Sequence, residues 1–182
     1  MEEQQSPFQA AIKPGVTMGL VSLAVTYIAY FIDSSLLASG WFGLVALVIG
    51  LALVIYFGIQ YRSEIGGFMT FGTAFNFSFI ALVISALIST IGLILLYQVV
   101  DPSLPQVLAD QAFQTTIDTM ESFGASADAL PPEQLEEMRK ATLDGFTVVG
   151  QIKGFGISII IYAIIALILG AILKKKDKSL EF

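Results

Sequence analysis

Residues 41–61 read WFGLVALVIGLALVIYFGIQY, with no charged position and with Trp41 and Tyr61 at the two ends. About 20 consecutive apolar residues make a helix long enough to cross the hydrocarbon core of a bilayer, and tryptophan and tyrosine collect at its two interfaces. This stretch is expected to span a membrane, and the rest of the chain is read outward from it.

Upstream, an apolar run from about Pro14 to Ile32 ends at Asp33 and is expected to form another span. Before it lies a polar leader, residues 1–13, whose Glu2 and Glu3 are wrong for the basic start of a secretory signal. The run after the leader is also too long for a signal core. Ala38-Ser39-Gly40 resembles a small-residue cleavage site, but Asp33 and the long spacing count against it. The first segment is read as a span rather than a signal.

Downstream, the link Arg62 to Gly67 turns the chain back. The apolar stretch Phe68 to Val100 would reach roughly 50 Å as a helix, against about 30 Å of hydrocarbon. Residues 66–75 are therefore expected to be an interfacial or strongly tilted lead-in, and 76–97 the third span. The fourth span is expected over 155–173, closed by Lys174, Lys175 and Lys176 in a basic tail, residues 174–182.

Residues 101–154 hold nine acids and three basic residues, so this one polar segment carries a charge equal to the chain's whole net of −6. Two helices are expected within it. One follows Asp101-Pro102-Ser103, carries Phe113, Ile117 and Met120 as an apolar stripe, and stops near Gly124. The other starts at Pro131-Pro132, where proline suits a first turn and Glu133, Glu136 and Glu137 suit the positive end of the helix dipole. Leu135, Met138, Thr142, Phe146 and Val149 mark its apolar face, with a bend expected among Gly145, Gly150 and Gly154.

Composition agrees with this layout: 182 residues, 55% hydrophobic, 13% charged, mean hydropathy +0.80. Soluble domains carry roughly twice that share of charge, about 25%. Disorder, a collagen-like fibre, a coiled coil and a disulfide scaffold are excluded. The chain has no cysteine and no histidine. Thiolate and imidazole metal ligands, haem thioethers and cysteine–histidine pairs are thereby ruled out. No cofactor is expected, and the acidic balance excludes nucleic acid as a partner. The expected fold class is an all-α integral membrane protein, a four-helix transmembrane bundle with a helical extracytoplasmic segment between spans three and four.

Orientation follows from lysine and arginine. Lys13, Arg62 and the four tail lysines fall on one side, against Arg139, Lys140 and Lys153 on the other. The positive-inside rule then puts both termini in the cytoplasm, and two termini on one side demand an even number of spans, which agrees independently with four.

Phe71-Gly72-Thr73-Ala74-Phe75 before span three, Tyr97 with Asp101-Pro102 after it, a helical outer segment and the Lys174-Lys175-Lys176 ending together resemble an uncharacterised bacterial family of small four-span membrane proteins, domain of unknown function 4199. The likeness extends over nearly the whole chain. It implies a bacterial inner-membrane location and no particular chemistry, so no functional residues are carried over from it.

The residues themselves supply a few candidates. Gly15, Gly19, Ser22, Thr26, Ala29 and Asp33 share one face of span one. Ser78, Ala81, Ser85, Ser89 and Gly92 recur on span three, Ala46 and Gly50 on span two, Ala166 and Gly170 on span four. Small residues four apart let helix backbones approach closely, so Gly15, Gly19, Ala46, Gly50, Ser85, Ser89, Ala166 and Gly170 are expected packing positions. The other reading of the same faces is a polar pathway between spans one and three. Asp33 is an acid abutting an apolar run, a functional candidate by default, though Ser34 and Ser35 beside it favour a solvated helix end. Asp101, Asn76 and Lys153 are the remaining polar candidates near span ends, Asn76 for an interhelical hydrogen bond and Lys153 for snorkelling. Phe68, Phe71, Phe75 and Phe79 form an aromatic stripe that reads as packing or lipid-facing.

No catalytic constellation, phosphate loop or calcium-loop spacing is present in the sequence, so an enzyme is not expected. The first functional expectation is a non-enzymatic accessory protein whose partners are the lipid bilayer and either another membrane protein or a second copy of the chain, met through the outer segment. The second is a small oligomeric transporter or channel. The third is a membrane enzyme acting on lipid through an outer acid such as Asp101.

Overall fold

The structure, a computed structural model, describes residues 5–124, 126 and 130–176. Its α-helices are α1 (Pro7–Ile32), α2 (Gly40–Glu64), α3 (Phe71–Leu95), α4 (Leu104–Ser122), α5 (Pro132–Gly145) and α6 (Val148–Leu173). A short 3-10 turn, Ser34–Ala38, joins α1 to α2, and a π-helical turn, Leu96–Val100, extends α3. Helices α1, α2, α6 and the extended α3 are long and apolar enough to cross a membrane. The expected all-α membrane bundle with a helical segment between its third and fourth spans is what the chain forms. Below, "capped end" means the end carrying α4 and α5, and "tail end" the end where α1 begins and α6 stops.

The helices run past the apolar stretches that suggested them. α1 starts at Pro7 because Ser6 caps it with a full capping box to Gln9 and proline suits the first turn. Pro14 therefore lies inside the helix. Lacking an N–H, it leaves the Ala10 carbonyl without its helical donor. α3 starts at Phe71, within the expected 66–75 lead-in, because the Thr70 hydroxyl accepts the Thr73 N–H at 3.2 Å and caps it there. The turn before it uses Gly66 (φ +98°) and Gly67 (φ +86°), values that favour glycine. No break falls at Asn76.

α3 is the hub: α1 packs along one side of it and α6 along another, while α2 touches all three only lightly. In the most apolar window of each helix, 28% of α3 is buried and only 11% of α2. The α1–α3 seam is close. A Cβ at Gly15 would lie 2.8 Å from Ile84 Cβ, and one at Gly19 would lie 2.8 Å from Ile88 Cβ. Higher up, Leu23 fills the space over Gly92. Ala166 is fully buried, and Gly170 lets α6 close onto the Phe71 ring of α3. Van der Waals fit of this kind holds membrane helices together where water expulsion cannot.

Polar contacts tie the tail end. Tyr61 stacks on Phe77 (ring centroids 5.0 Å apart) and donates its hydroxyl to the Gln5 carbonyl at 3.0 Å. Arg62 donates to the last carbonyl of α6, Leu173, at 3.0 Å. Met69 and Lys175 exchange backbone hydrogen bonds of 3.0 and 2.8 Å, and the Lys175 ammonium sits 5.7 Å above the Phe68 ring.

At the capped end, Leu96, Tyr97, Leu104 and Leu108 form a second core with Tyr27, Tyr30 and Phe146 around it. α4 ends at Ser122 just before Gly124 (φ +83°) and packs on α5. Phe113, Ile117 and Met120 on α4 and Leu135, Met138 and Thr142 on α5 are half-buried. Arg139 and Asp110 pair between the two helices at 2.8 Å. The bend before α6 falls at Phe146–Thr147, where the Thr147 hydroxyl accepts the Gly150 N–H at 3.0 Å.

Candidate functional site

The light contact of α2 leaves a cavity of about 510 Å³ between it and the concave face made by α1, α3 and α6. Its walls come from residues 18–26 of α1, 46–53 of α2, 82–93 of α3 and 150–165 of α6, so it lies toward the capped end. Gly145, Gly150 and Gln151, at the joint of cap and bundle, form its roof. Gln151 is fixed there by donating to the Gly145 carbonyl at 2.8 Å. At the tail end α2 and α6 come together, with Leu173 seated over Gly58. Toward the capped end the chamber parts them. Leu47 and Gly154, both wall residues, are also exposed, so the chamber opens on the bundle's perimeter beside α2 and α6.

The lining is chiefly aliphatic, and no Asp, Glu, Lys or Arg is among the described wall residues. It carries hydroxyls on three of the four helices. Thr26 and Ser158 bond back to the Ser22 and Phe155 carbonyls of their own helices. Ser22, Ser85, Ser89, Thr90 and Tyr162 make no side-chain hydrogen bond with any described residue. A hydroxyl held away from water without a partner costs roughly 1–3 kcal/mol, so this lining favours an occupant that can hydrogen-bond. One turn below Leu82 on α3, Ser78 is fully buried and its hydroxyl also lacks a partner.

The sequence candidates fall in several places. Gly15 and Gly19 lie in the α1–α3 seam and Ala166 and Gly170 in the α3–α6 seam. Ala46 and Gly50 depart from the packing expectation: both line the chamber, and a Cβ at Gly50 would meet nothing within 4 Å. Small residues allow close approach, but no helix approaches there. Ser85 belongs to both settings, its carbonyl facing Gly19 and its side chain lining the chamber. Ser89 lines the chamber two turns from the capped end of α3.

Asp33 is the N-cap of the 3-10 turn, accepting the Ser35 N–H at 2.9 Å, and the Ser35 side chain first, with this amide second, holds its carboxyl below the ordinary value. Asp101 accepts from the Ser103 hydroxyl (2.6 Å), the Ser103 and Leu104 N–H groups and the Tyr30 hydroxyl (3.1 Å). Ser103 chiefly, with Tyr30 and the two amides, holds this carboxyl low as well. Both acids are therefore occupied in terminating helices, and neither lines the chamber. Asn76 and Lys153 are exposed and bond to no described residue. Among the described residues no three acids converge as a metal site would require.

Sequence reasoning missed Tyr162, Thr90 and Gln151 as chamber residues. It placed Ser22 and Thr26 on a shared small face with Gly15 and Gly19, which was the available signal. It also missed Tyr27, whose hydroxyl donates to the Gly92 carbonyl at 3.1 Å.

The profile of a family described as a protein of unknown function, DUF4199, fits residues 13–175. No curated protein and no solved structure matches the chain.

Proposed function

The chain belongs to the DUF4199 family, and from its chamber we propose that it is a non-enzymatic protein of the bacterial inner membrane that binds a lipid-like amphiphile between its spans. The observation that carries this reading is the chamber's chemistry: aliphatic walls, unpaired hydroxyls, no charge, and an opening on the perimeter. Aliphatic walls suit an acyl or isoprenoid chain. The hydroxyls suit the ester or alcohol oxygens where such a chain meets its headgroup. A charge-free wall inside a bilayer gives an ion nothing to pair with. The volume also falls within the range of small-molecule sites, roughly 300–1,000 Å³.

In this reading the tail end faces the cytoplasm, since Lys13, Arg62, Lys174, Lys175 and Lys176 lie there, and the cap lies outside. The cap then acts as a roof rather than as a docking arm. Phe113, Ile117, Met120, Leu135, Met138 and Thr142 are half-buried where α4 packs on α5, and Phe146 packs on Tyr97. Val149 at the start of α6 is exposed, and the base of the cap supplies Gly145 to the chamber. The partner is a bilayer lipid. Asp33 and Asp101, the acids best placed for chemistry, already serve as helix caps, which supports a non-catalytic role.

Photo-crosslinking tests the reading. With the protein in vesicles containing a lipid that carries a diazirine on its acyl chain, adducts are expected on Ser85 and Ser89. Both are half-buried on α3, away from the lipid surrounding the bundle. Adducts confined to perimeter residues such as Ile160 and Ile164 would overturn it.

A further inference from the structure

The chamber has a counterpart. A second cavity, of about 470 Å³, opens at the tail end between α1 and α2, two of the helices that also wall the chamber, and is lined by Gln9, Lys13, Thr17, Gln60, Glu64 and Phe77, among others. The two linings nearly meet. On α1 they pass from Thr17 to Met18 without a gap. On α2 they pass from Leu53 to Phe57, and on α3 from Leu82 to Phe77. At 1.5 Å per residue, these steps leave a barrier of about 6–8 Å, little more than one helical turn. Val54, Ser78 and Ala81 lie within it, all fully buried.

Polarity follows the same line. On α3, Ser78, Ser85 and Ser89 share one helical face, so the unpartnered hydroxyl of Ser78 lies between the chamber's serines and the polar cleft. Going outward, the cleft continues the polar groups on α1 with Thr17, then Lys13 and Gln9, and on α2 with Gln60 and then Glu64, the residue nearest the tail end. Pro14 also lines the cleft, at the point where α1 lacks a backbone bond. The outer wall of both cavities is α2, the least buried span.

We propose that chamber and cleft are two halves of one path along the inner face of α2, and that the protein moves a lipid-like amphiphile between the two leaflets. The headgroup follows the hydroxyl line over Ser78 while the chain stays in the lipid beside α2. This rests on the reading that the chamber takes such a molecule.

The test uses the full-length protein in phosphatidylcholine–phosphatidylglycerol vesicles with a trace of lipid fluorescently labelled on an acyl chain, bleached from outside by dithionite. Labelled phosphatidylcholine and labelled phosphatidylglycerol serve as separate probes. With protein present, bleaching of at least one probe should run past the plateau seen in protein-free vesicles, while an entrapped soluble dye is retained. Ser78→Ala should slow the transfer several-fold without lowering the thermal midpoint, because it removes a hydroxyl that has no partner in the fold and adds no bulk at a fully buried position. Val54→Ala should speed it. Bleaching that stops at the protein-free plateau for both probes, while native mass spectrometry still finds lipid bound, would overturn the path and leave the chamber reading standing. Loss of both bound lipid and transfer would remove both readings. Dye release together with bleaching would mark an aqueous pore and overturn the proposal, as would transfer unaltered by both substitutions.

Discussion

α1 and α2 are nearly equal in length, 26 and 25 residues, and both carry glycines, yet they meet α3 in opposite ways. α1 lies in contact along its length, with Gly15 and Gly19 against Ile84 and Ile88. α2 stands off, held near its tail end by the Tyr61–Phe77 stack and the Gly58–Leu173 contact, and Gly50 faces open space. A glycine therefore reports only that a backbone can approach. Whether one does depends on the opposing surface. The seam that closes gives the bundle its stability, and the seam that stays open gives it a chamber.

The largest expected effect breaks this contrast directly. Gly19→Leu forces a branched side chain into Ile88 and should cost about 1–3 kcal/mol, read as a lowered thermal midpoint in detergent. Gly50→Leu should stay within about 0.5 kcal/mol, since nothing stands in its way. Equal losses at the two sites would erase the distinction between the seams.

A smaller effect sharpens how the tail end is held. Arg62→Ala removes the donor to the Leu173 carbonyl and should cost about 1 kcal/mol. The loss should appear as faster hydrogen exchange at the Met69 and Lys175 amides, with Ala81 and Ser85 unaffected.

The smallest effect concerns the cap and depends on pH. Arg139, with help from Gln106, holds the Asp110 carboxyl below its ordinary value. A lowered folded-state pKa means that the pair's contribution is present above about pH 4, the unfolded value, and disappears as pH falls through the folded value. Protection of the α4 and α5 amides, corrected for the intrinsic exchange rate at each pH, should therefore fall on acidification more than that of α1 and α3. In Arg139→Ala this pH dependence should shrink, and an unchanged profile would remove the pair from the account.

Much of this fold is legible in the sequence because a bilayer imposes its own ruler. An uncharged run of span length, such as Trp41 to Tyr61, has few other uses. The cap helices announce themselves through Pro131-Pro132 at one start and Gly124 after one end. The helix boundaries are less legible: capping by Ser6 and Thr70 carries α1 and α3 beyond the apolar runs into polar or interfacial sequence. The chamber is the least legible part. Its serines and threonines look the same in sequence as packing residues. What makes them a lining is the distance of α2, which no single residue encodes. Asp33 and Asp101 drew attention as lone acids near spans, and their short bonds to Ser35 and Ser103 show why local sequence could have explained them as caps.

The most direct measurement is native mass spectrometry of the protein released from lipid discs, comparing the natural chain with Gly50→Trp. The indole would enter the chamber, where a side chain at that position meets no obstacle. A reproducible lipid adduct is expected on the natural chain and is lost or strongly reduced in the variant, with both proteins melting at similar temperatures. An adduct of equal mass and occupancy on both would contradict this expectation, placing the bound lipid on the outside of the bundle instead of within it.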